Sequence, residues 1–355
     1  MENTLQVGLI GYGMAGQVFH APFIFCTNGL HLHKIATQNP ANIQIAQTRY
    51  PKAQIVAEAV DIISDPMIDL VVIATPNSTH YKLAKEALLA GKHVVVDKPF
   101  TITVSEADEL IRLAHQRGLI LAIFQNRRYD SDFLTVKKIL ESGVLGRVVS
   151  FESRFDRFRN ELRPNTWKEV ATPGSGALYD LGSHLIDQAI VLFGLPDAIY
   201  ADLGTQRANA SIVDYFNLNL YYEGLQVSLK ASMLVKVQLP RFAVLGDQGG
   251  FVKYGMDPQE NALKQGLLPH LTKNWGIENE ENLGTLSTLV EEKDHTRKIK
   301  SEMGNYGLFY ENVVQSIQAK NTLAIKPLDV LQQIKIIELA YQSAAEKRVI
   351  PFEKA

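Results

Sequence analysis

The sequence lacks the features that mark secreted and membrane proteins. Its single cysteine, Cys26, cannot form an internal disulfide, so we expect a reducing compartment. The longest apolar run, Leu119–Phe124, is far shorter than the roughly 20 residues that a membrane helix needs. The N-terminus, Met1-Glu2-Asn3-Thr4, has no basic stretch followed by an apolar one, so we expect no secretory signal. These absences predict a cytoplasmic protein with no membrane partner.

The charge balance and the composition exclude two further classes of protein. With 36 Lys and Arg against 38 Asp and Glu, the formal net charge is −2, which gives no broad positive field for nucleic acid. Apolar residues make up 46% of the 355 residues and no low-complexity tract occurs, which excludes a disordered chain. A single core stops growing at roughly 250–300 residues, so we expect two domains.

The first 124 residues alternate short β-branched runs with helical patterns. One of the predicted helices opens with the capping box Thr103-x-x-Glu106. Several strands are apolar on both faces, which predicts a parallel sheet covered by helices on both sides. Right-handed crossovers then give an α/β doubly wound Rossmann domain over residues 1–124. The predicted strands are Leu5–Ile10, Leu30–Thr37, Val71–Ala74, Val94–Val96 and Leu119–Phe124.

A glycine-rich turn follows the first predicted strand directly. It consists of Gly11, Tyr12, Gly13, Met14, Ala15 and Gly16, which match G-x-G-x-x-G. Gly11 permits the tight turn, Gly13 lets the backbone approach a pyrophosphate, and Gly16 allows close packing of helix on strand. The helix that begins there presents free N–H groups to the phosphates. The turn therefore predicts a dinucleotide site, although glycines also punctuate turns that bind nothing.

The end of the second predicted strand bears on which dinucleotide binds. NAD-binding domains place Asp or Glu about 20 residues after the glycines, where the carboxylate holds the ribose hydroxyls. Here the stretch contains Thr37, Gln38 and Asn39 and no carboxylate. The absence of this charge removes repulsion against a 2′-phosphate, and the polar side chains can donate to it. NADP is favoured and NAD remains open, because no arginine follows.

Two later strand ends carry further polar residues. Thr75, Pro76, Asn77 and His80 follow the strand that ends near Ala74, at the edge where such sheets bind ligands. Asn77 is predicted either to contact the cofactor or to cap the next helix, and His80 is either a contact or a packed histidine. Lys98 ends the fifth strand with Pro99 after it, so its amine is predicted to reach the nicotinamide ring and the substrate.

A second group of candidate residues lies in the run from Gly174 to Asp187. Asp180 and His184 are four residues apart, so a helix would place them on one face. A carboxylate beside an imidazole fixes its tautomer and suits a reversible proton acceptor. An isolated pair of this kind is more often structural, and Asp187 is predicted as a salt-bridge residue.

These motifs together resemble the Gfo/Idh/MocA oxidoreductases, and the resemblance extends over nearly the whole chain. It is carried by the glycine turn, by Asp97-Lys98-Pro99 and by the glycine-rich run into Asp180-x-x-x-His184. The segments 94–100, 125–133 and 151–158 resemble the NADP-dependent scyllo-inositol 2-dehydrogenase branch of that family. Two positions depart from the family pattern: Asp97 stands where Glu is usual, and Ser175 stands where a third glycine is common.

The resemblance implies the architecture and the site. It implies a second α+β domain over residues 125–355 with a large, mostly antiparallel sheet that closes the active site and supports a homodimer or homotetramer. It assigns Lys98, Asp180 and His184 as catalytic residues, and it implies no metal. We expect Asn126 to contact the cofactor as well. The expected substrate contacts are Lys98, Arg127, Asp156, Arg157, Trp167, Tyr179, Asp180 and His184.

The pattern after Val148 agrees with a second, antiparallel sheet. Alternating runs predict strands with one packed face and one face free for an oligomer contact. The charged stretch Glu278–Lys300 is interpreted as a loop or an edge hairpin, and the stripe of Leu331, Ile334, Ile337 and Tyr341 is predicted to pack as core. The predicted strands are Val149–Phe155, Ile199–Leu203, Tyr215–Tyr222, Gln226–Leu234 and Arg241–Leu245.

The expected activity is reversible oxidation of one secondary hydroxyl of a cyclic polyol, most simply scyllo-inositol, with NADP. His184 would accept the hydroxyl proton while hydride leaves for the nicotinamide, Asp180 would orient the imidazole, and Lys98 would stabilise the oxygen. Another sugar or aldose is an alternative substrate. Two alternatives belong to other classes of function: a dinucleotide-sensing regulator without turnover, and a glycosidase that recycles a tightly bound NAD.

Overall fold

The computed structural model of the chain describes residues 4–163, 166–290 and 293–354, and at positions 167 and 290 it describes the backbone alone. The chain divides into two compact units. The first unit comprises residues up to Asn126, Gln259–Trp275 and Asn305–Leu331. The second unit comprises Arg127–Pro258, Gly276–Gly304 and the chain from Gln332 onward. The division that the sequence predicted, 1–124 and 125–355, did not include the two later segments of the first unit.

The first unit contains a sheet of six parallel strands. The strands are β1 Leu5–Ile10, β2 Leu30–Ala36, β3 Gln54–Val56, β4 Leu70–Ile73, β5 His93–Asp97 and β6 Leu121–Phe124. Their order across the sheet is β3-β2-β1-β4-β5-β6, which confirms the doubly wound prediction. Every residue of β4 and β6 is buried, as expected for strands covered on both faces. The three-residue strand β3 was not predicted, because it is short and half-exposed.

A helix follows each of these strands along the chain. The helices of both units are α1 Ala21–Cys26, α2 Pro40–Arg49, α3 Val60–Ile63, α4 His80–Leu89, α5 Val104–Gln116, α6 Ser131–Glu141, α7 Ser183–Phe193, α8 Gln259–Lys264, α9 Gly307–Ile317 and α10 Pro327–Glu346. The π-helical turn Gly16–His20 leads into α1. The predicted capping box of α5 is confirmed, because Thr103 Oγ1 accepts from Glu106 N and the Glu106 carboxylate accepts from Thr103 N.

Aromatic packing explains why a late segment of the chain belongs to the first unit. Tyr306 packs edge-on against Phe23, with ring centroids 6.0 Å apart, and Phe309 packs against Phe124 at 4.8 Å. All four rings are buried, so separating this segment would expose a large apolar area to water. The members of these pairs are 283 and 185 positions apart in the sequence, and contacts at such separations carry no local sequence signal.

The second unit contains a nine-stranded, mostly antiparallel sheet. Its strands are β7 Val148–Arg154, β8 Ala198–Gly204, β9 Tyr215–Tyr222, β10 Leu225–Ser232, β11 Phe242–Gly246, β12 Gly249–Lys253, β13 Gly284–Val290, β14 Lys293–Ile299 and β15 Ile350–Pro351. The order is β14-β13-β12-β11-β7-β10-β9-β8-β15, in which β7 and β10 pair in parallel. The predicted α+β architecture is confirmed. The predicted edge hairpin in the charged stretch is also confirmed, because β13 pairs with β14 at one edge of the sheet.

The two faces of this sheet differ in polarity. Along β9, Phe216, Leu218 and Leu220 are buried, whereas the alternate residues Asn217 and Asn219 are only half-buried. The same alternation occurs along β10. The stripe predicted near the end of the chain is core, since α10 buries Leu331, Ile334 and Ile337, while Tyr341 is half-buried.

A buried ion pair anchors the segment that leads into the edge hairpin. The Lys253 ammonium lies 2.6 Å from Glu278 Oε1, and it also donates to the carbonyls of Tyr254 at 2.6 Å and Asn282 at 2.7 Å. The side chains of Lys253 and Glu278 are both inaccessible to solvent. Burial raises the pKa of Glu278, and its contacts with Lys253 and Ser301 oppose that rise. The pair fixes the 276–282 loop to the end of β12.

Within residues 4–163, 166–290 and 293–354, none of the helices combines the length and the apolar character of a membrane span.

We predict that Glu278→Ala lowers the free energy of unfolding of the second unit by about 3 kcal/mol, because it leaves the Lys253 charge buried without a counter-charge. Urea denaturation followed by circular dichroism measures the change. Glu280→Ala is the matched control, since Glu280 is exposed and its removal is expected to change stability by less than about 0.5 kcal/mol. Equal stability of the two variants would contradict a stabilising role for the ion pair.

Candidate functional site

The local structure around each of the three glycines in the turn after β1 is the one that a dinucleotide site requires. Gly11 has φ +94°, and a Cβ there would lie 2.5 Å from the Ala74 carbonyl oxygen. A Cβ on Gly16 would overlap the Gly11 carbonyl oxygen, so helix and strand could not approach as they do. Gly13 has no atom within 4 Å of a built Cβ, which leaves the open space that a pyrophosphate needs. The turn therefore fits a dinucleotide.

The other residues of the turn divide between core and surface. The Tyr12 ring is buried and packs edge-on against Tyr50, and burial raises the pKa of its hydroxyl to about 12. Its carbonyl accepts from Gln17 Nε2 at 2.9 Å. Tyr12 can thus offer a cofactor its backbone but not its ring. Met14 is half-exposed and Ala15 is half-buried, so both stay predicted contacts.

A carboxylate that the sequence pattern did not reveal, that of Glu58, lies beside the end of β2. Gln38 Nε2 donates to Glu58 Oε1 at 2.8 Å, and Glu58 lies just beyond the neighbouring strand β3. Asn39 Oδ1 caps α2 by accepting from Ala41 N and Asn42 N. A carboxylate is therefore present at this edge although β2 itself supplies none. The short strand β3, which the periodicity missed, is what brings it there.

The loop after β4 is joined to the loop after β5 through His80. Its ring is fully buried, with Nδ1 2.8 Å from the Pro99 carbonyl oxygen and Nε2 3.0 Å from that of Thr75. Burial lowers the pKa of His80, while Asp97 and these carbonyls act in the opposite direction. Both ring nitrogens face backbone oxygens, so His80 positions the two loops. Its predicted cofactor contact stays a prediction, as do those of Thr75, Pro76 and Asn77.

A buried chain of polar groups supports the strand end that carries Lys98. Asp97 Oδ1 accepts from the Lys98 backbone N–H at 2.8 Å and lies 3.7 Å from His20 Nε2. His20 Nδ1 in turn lies 2.7 Å from the Tyr310 hydroxyl, and its ring packs against that of Phe124 at an angle of 44°, with centroids 4.4 Å apart. Burial acts to raise the pKa of Asp97, but its contact with His20 and the nearby charges hold that pKa below its usual value. The Lys98 backbone is therefore held by an ionised carboxylate.

Neither His20 nor Tyr310 was expected at this site. A signal existed for His20, because it is a polar residue inside an otherwise apolar helical run, Val18 to Ile24. No sequence signal pointed to Tyr310, because it lies in α9, far from this site along the chain. The peptide bond between Lys98 and Pro99 is cis.

The second candidate group begins where the glycine-rich run meets a π-helical turn, Leu178–Gly182, that precedes α7. Gly176 has φ +94°, and a Cβ there would lie 2.9 Å from the Val213 carbonyl. Ser175, the departure from the family pattern, uses its hydroxyl within the loop to accept from Thr172 N at 3.1 Å. Asp180 lies in the π-helical turn, and its Oδ1 is 3.6 Å from Lys168 Nζ. Lys168 was not predicted.

His184, in the first turn of α7, is buried and lies against an aromatic ring with several cations around it. The imidazole is nearly parallel to the Phe155 ring, with an angle of 27° and centroids 6.3 Å apart. The guanidinium carbons of Arg127, Arg157 and Arg241 lie 4.9, 5.2 and 5.2 Å from the centre of that ring. We call these five residues the Phe155 cluster. The cluster fixes His184 by packing and places positive charge near it.

Carboxylates and amides hold the arginines near α7. Arg127 pairs with Asp130 at 3.0 Å, and Arg241 Nη1 donates to Ser153 Oγ at 2.7 Å. Burial lowers the pKa of Arg241, and nearby carboxylates oppose this effect. The adjacent Arg128 makes a bidentate pair with Asp187 at 2.7 and 2.8 Å, which confirms Asp187 as a salt-bridge residue.

Two of the remaining predicted substrate residues, Asp156 and Tyr179, have contacts in the structure. The Asp156 carboxylate accepts from Arg154 Nε at 2.7 Å and from Ser232 N at 3.1 Å. The Tyr179 ring is buried, 5.9 Å from that of Tyr341. The side chain of Trp167 lies outside the described residues. Arg207 anchors the nearby residue Glu169 by donating two hydrogen bonds, of 2.8 and 3.2 Å, to its carboxylate.

The predicted catalytic residues belong to different units. Lys98 is in the first unit, whereas Asp180 and His184 are in the second. Their meeting at one substrate therefore stays a prediction, as does the contact of Asn126 with the cofactor. In the part of the chain that the structure describes, no group of three or more His, Cys, Asp or Glu side chains is arranged to hold a metal ion.

Two family models match the chain. The Gfo/Idh/MocA model described as an oxidoreductase family NAD-binding Rossmann fold matches residues 5–125, and the model of the C-terminal alpha/beta domain of that family matches residues 137–352. The oxidoreductase YdgJ of Escherichia coli, which is uncharacterized, is 43% identical over 99% of both chains. The scyllo-inositol 2-dehydrogenase (NADP(+)) IolW of Bacillus subtilis is 38% identical over 99% of this chain and 97% of its own.

Solved structures agree with the sequence comparisons. The structure of YvaA from Bacillus subtilis has a TM-score of 0.95 at 38% identity, covering 99% of both chains. An oxidoreductase from Bacillus cereus has a TM-score of 0.89 at 32% identity, again over 99% of both chains.

We predict that Gly13→Ala weakens dinucleotide binding, whereas Gly16→Ala destabilises the fold. A Cβ on Gly13 meets no protein atom, so Gly13→Ala is expected to change the free energy of unfolding by less than about 0.5 kcal/mol. Its affinity for the dinucleotide is expected to fall about tenfold or more, because the methyl group occupies the space of the phosphates. Gly16→Ala is expected to lower the free energy of unfolding by about 1–3 kcal/mol through overlap with the Gly11 carbonyl. Thermal unfolding and calorimetric titration with NADP separate the two effects. Full affinity in a folded Gly13→Ala protein would exclude the turn as the phosphate site.

We predict that the stabilisation by Asp97 depends on pH. Its pKa in the folded protein is below the unfolded value of about 3.9, so the stabilisation is fully present above about pH 4 and is lost as pH falls through the lower folded pKa. Asp97→Asn should cost about 1–2 kcal/mol at pH 7 and less at pH 3. Melting temperatures across this range measure the difference. Asp108→Asn is the control, since the Asp108 side chain is about half exposed and its ion pair with Arg112 lies at the surface, where it contributes little. A constant Asp97→Asn deficit at every pH would contradict the ionised role.

Proposed function

Because the chain belongs to the Gfo/Idh/MocA oxidoreductase family, we propose that it is an NADP-preferring dehydrogenase that oxidises a secondary hydroxyl of a cyclic polyol. The first substrate to test is scyllo-inositol. The observation that carries this proposal is 38% identity over 99% of the chain with a scyllo-inositol 2-dehydrogenase. The presence of Lys98, Asp180 and His184 at strand and helix ends supports turnover rather than sensing alone.

The proposed chemistry assigns a separate task to each side chain. His184 Nε2 or Nδ1 accepts the hydroxyl proton, and the Phe155 cluster keeps the ring in place during that transfer. Asp180, which is near Lys168, orients the substrate and imidazole, and Lys98 stabilises the oxygen as negative charge develops on it. When bound, the dinucleotide supplies the hydride acceptor. Asp97 and His80 keep the Lys98 backbone fixed at the end of β5.

The preference for NADP is supported by the end of β2. Thr37 and Gln38 stand where NAD-binding domains place a carboxylate, so no side chain of β2 repels a 2′-phosphate. The IolW relative, by its name, uses NADP. NAD remains a possible cofactor, and the substrate could instead be another sugar or aldose.

We also propose that the protein forms a homodimer or homotetramer through the open face of the second unit's sheet. This face carries half-buried polar side chains, among them Asn217 and Asn219 of β9 and Ser228 and Lys230 of β10. A broad face of this kind gives self-complementary contacts across a twofold axis. A cytoplasmic location is proposed from the single cysteine.

The decisive experiment follows absorbance of the reduced nicotinamide with a panel of inositol isomers and aldoses, each offered with NADP and with NAD. We expect scyllo-inositol with NADP to give the highest kcat/KM. Binding of dinucleotide without turnover on any member would favour a regulator. Release of sugar from a glycoside without net reduction of the cofactor would favour a glycosidase.

We predict that His184→Ala slows turnover by about 10²-fold or more while the affinity for NADP stays within about twofold. His184→Gln keeps more of the packing against Phe155 and should show the same loss, which separates chemistry from folding. His295→Ala, on the exposed strand β14, is the control and should keep full activity. Normal turnover by a folded His184 variant would remove His184 from the mechanism.

A further inference from the structure

The strand neighbouring β2 supplies the acidic group that β2 lacks. β2 and β3 are parallel, with Ala36 opposite Val56, and Thr37 N donates to the Val56 carbonyl at 3.0 Å. Gln38 and Glu58 each lie two residues beyond this pair, so they end at the same level of the sheet. Their side chains meet, with Gln38 Nε2 donating to Glu58 Oε1 at 2.8 Å.

Contacts on both sides hold this arrangement in place. The Glu58 backbone N–H donates to Asp61 Oδ2 at 3.3 Å, at the first turn of α3. Asn39 is occupied in capping α2. The nearest lysine on β2, Lys34, pairs with Asp65 at 2.6 Å. The carboxylates of Glu58 and Asp61 therefore make the local charge at the end of β2 negative, and both residues are exposed.

This position is where a Rossmann domain meets the adenosine ribose of its cofactor. An acidic side chain there accepts hydrogen bonds from the ribose hydroxyls of NAD and repels the 2′-phosphate of NADP. Gln38 holds the Glu58 carboxylate at this position through the hydrogen bond from its amide. The two side chains, each two residues beyond the end of its strand, thus form one polar surface.

We propose that Glu58, held by Gln38, is a specificity-determining residue that limits the preference of this protein for NADP over NAD. The assignment rests on the proposed function as a dinucleotide-dependent enzyme. In this proposal β2 offers no carboxylate against a 2′-phosphate, but the segment after β3 supplies one at the same edge of the sheet. The carboxylate is exposed, so salt screens its charge and its effect is moderate.

The test measures the Kd of NADP and of NAD by calorimetric titration of the full-length protein, with kcat/KM for both cofactors in parallel. Glu58→Gln removes the charge and keeps the shape, and Glu58→Ala removes both. Both variants should bind NADP about tenfold more tightly at low salt, with less than about a threefold change for NAD. At 0.5 M salt the gain should shrink to about threefold or less. Glu58→Asp, which keeps the charge, should stay near the wild-type ratio.

Glu86→Gln is the matched control, since Glu86 is an exposed carboxylate on α4 that pairs with Lys82, and its ratio of Kd values should equal that of the wild type. If the ratio of the Kd of NAD to the Kd of NADP changes by less than twofold in both Glu58→Gln and Glu58→Ala, the assignment is overturned, while the dehydrogenase proposal stays in place. Failure of the wild-type protein to bind either dinucleotide would overturn both.

Discussion

The parallel pairing of β1, β2, β4 and β5 is the constraint on which the first unit depends. Parallel strands end at one edge of a sheet, so the loops that follow them are neighbours although they are far apart in sequence. The glycine turn, the Gln38–Glu58 contact and Lys98 all follow strand ends of this sheet. Hydrogen bonds then lock the loops to each other, as His80 does between Thr75 and Pro99.

The second unit uses a different means of fixing its candidate catalytic residue. His184 lies against the apolar ring of Phe155 and not at a strand end, and two of the arginines around that ring, Arg127 and Arg241, lie 3.0 and 3.4 Å from the carboxylates of Asp130 and Asp132. Positive charge in a low-dielectric setting is costly unless it is paired, so the carboxylates are part of the same arrangement. His184 and the paired arginines therefore lie around the same aromatic ring.

Local patterns predicted most of this architecture. The glycine turn, the capping box at Thr103 and the stripe of Leu331, Ile334 and Ile337 are repeats or spacings within a few residues, and each occurs as expected. Glu58, the contact of His20 with Tyr310, and the position of Arg241 beside Phe155 were missed, because each depends on segments that only the fold brings together. Strand β3 shows the limit most clearly: three half-exposed residues give no periodicity, yet they place the carboxylate beside Gln38.

Both outer strands of the nine-stranded sheet are built against further pairing. On one side, β14 is nearly all exposed and carries Lys293, Asp294, Arg297 and Lys298. On the other, β15 has two residues and ends in Pro351, which has no N–H to donate. Edge strands that are charged, or that are very short and contain proline, prevent strands of other molecules from adding to a sheet and forming fibrils. The sheet therefore stops at its own borders.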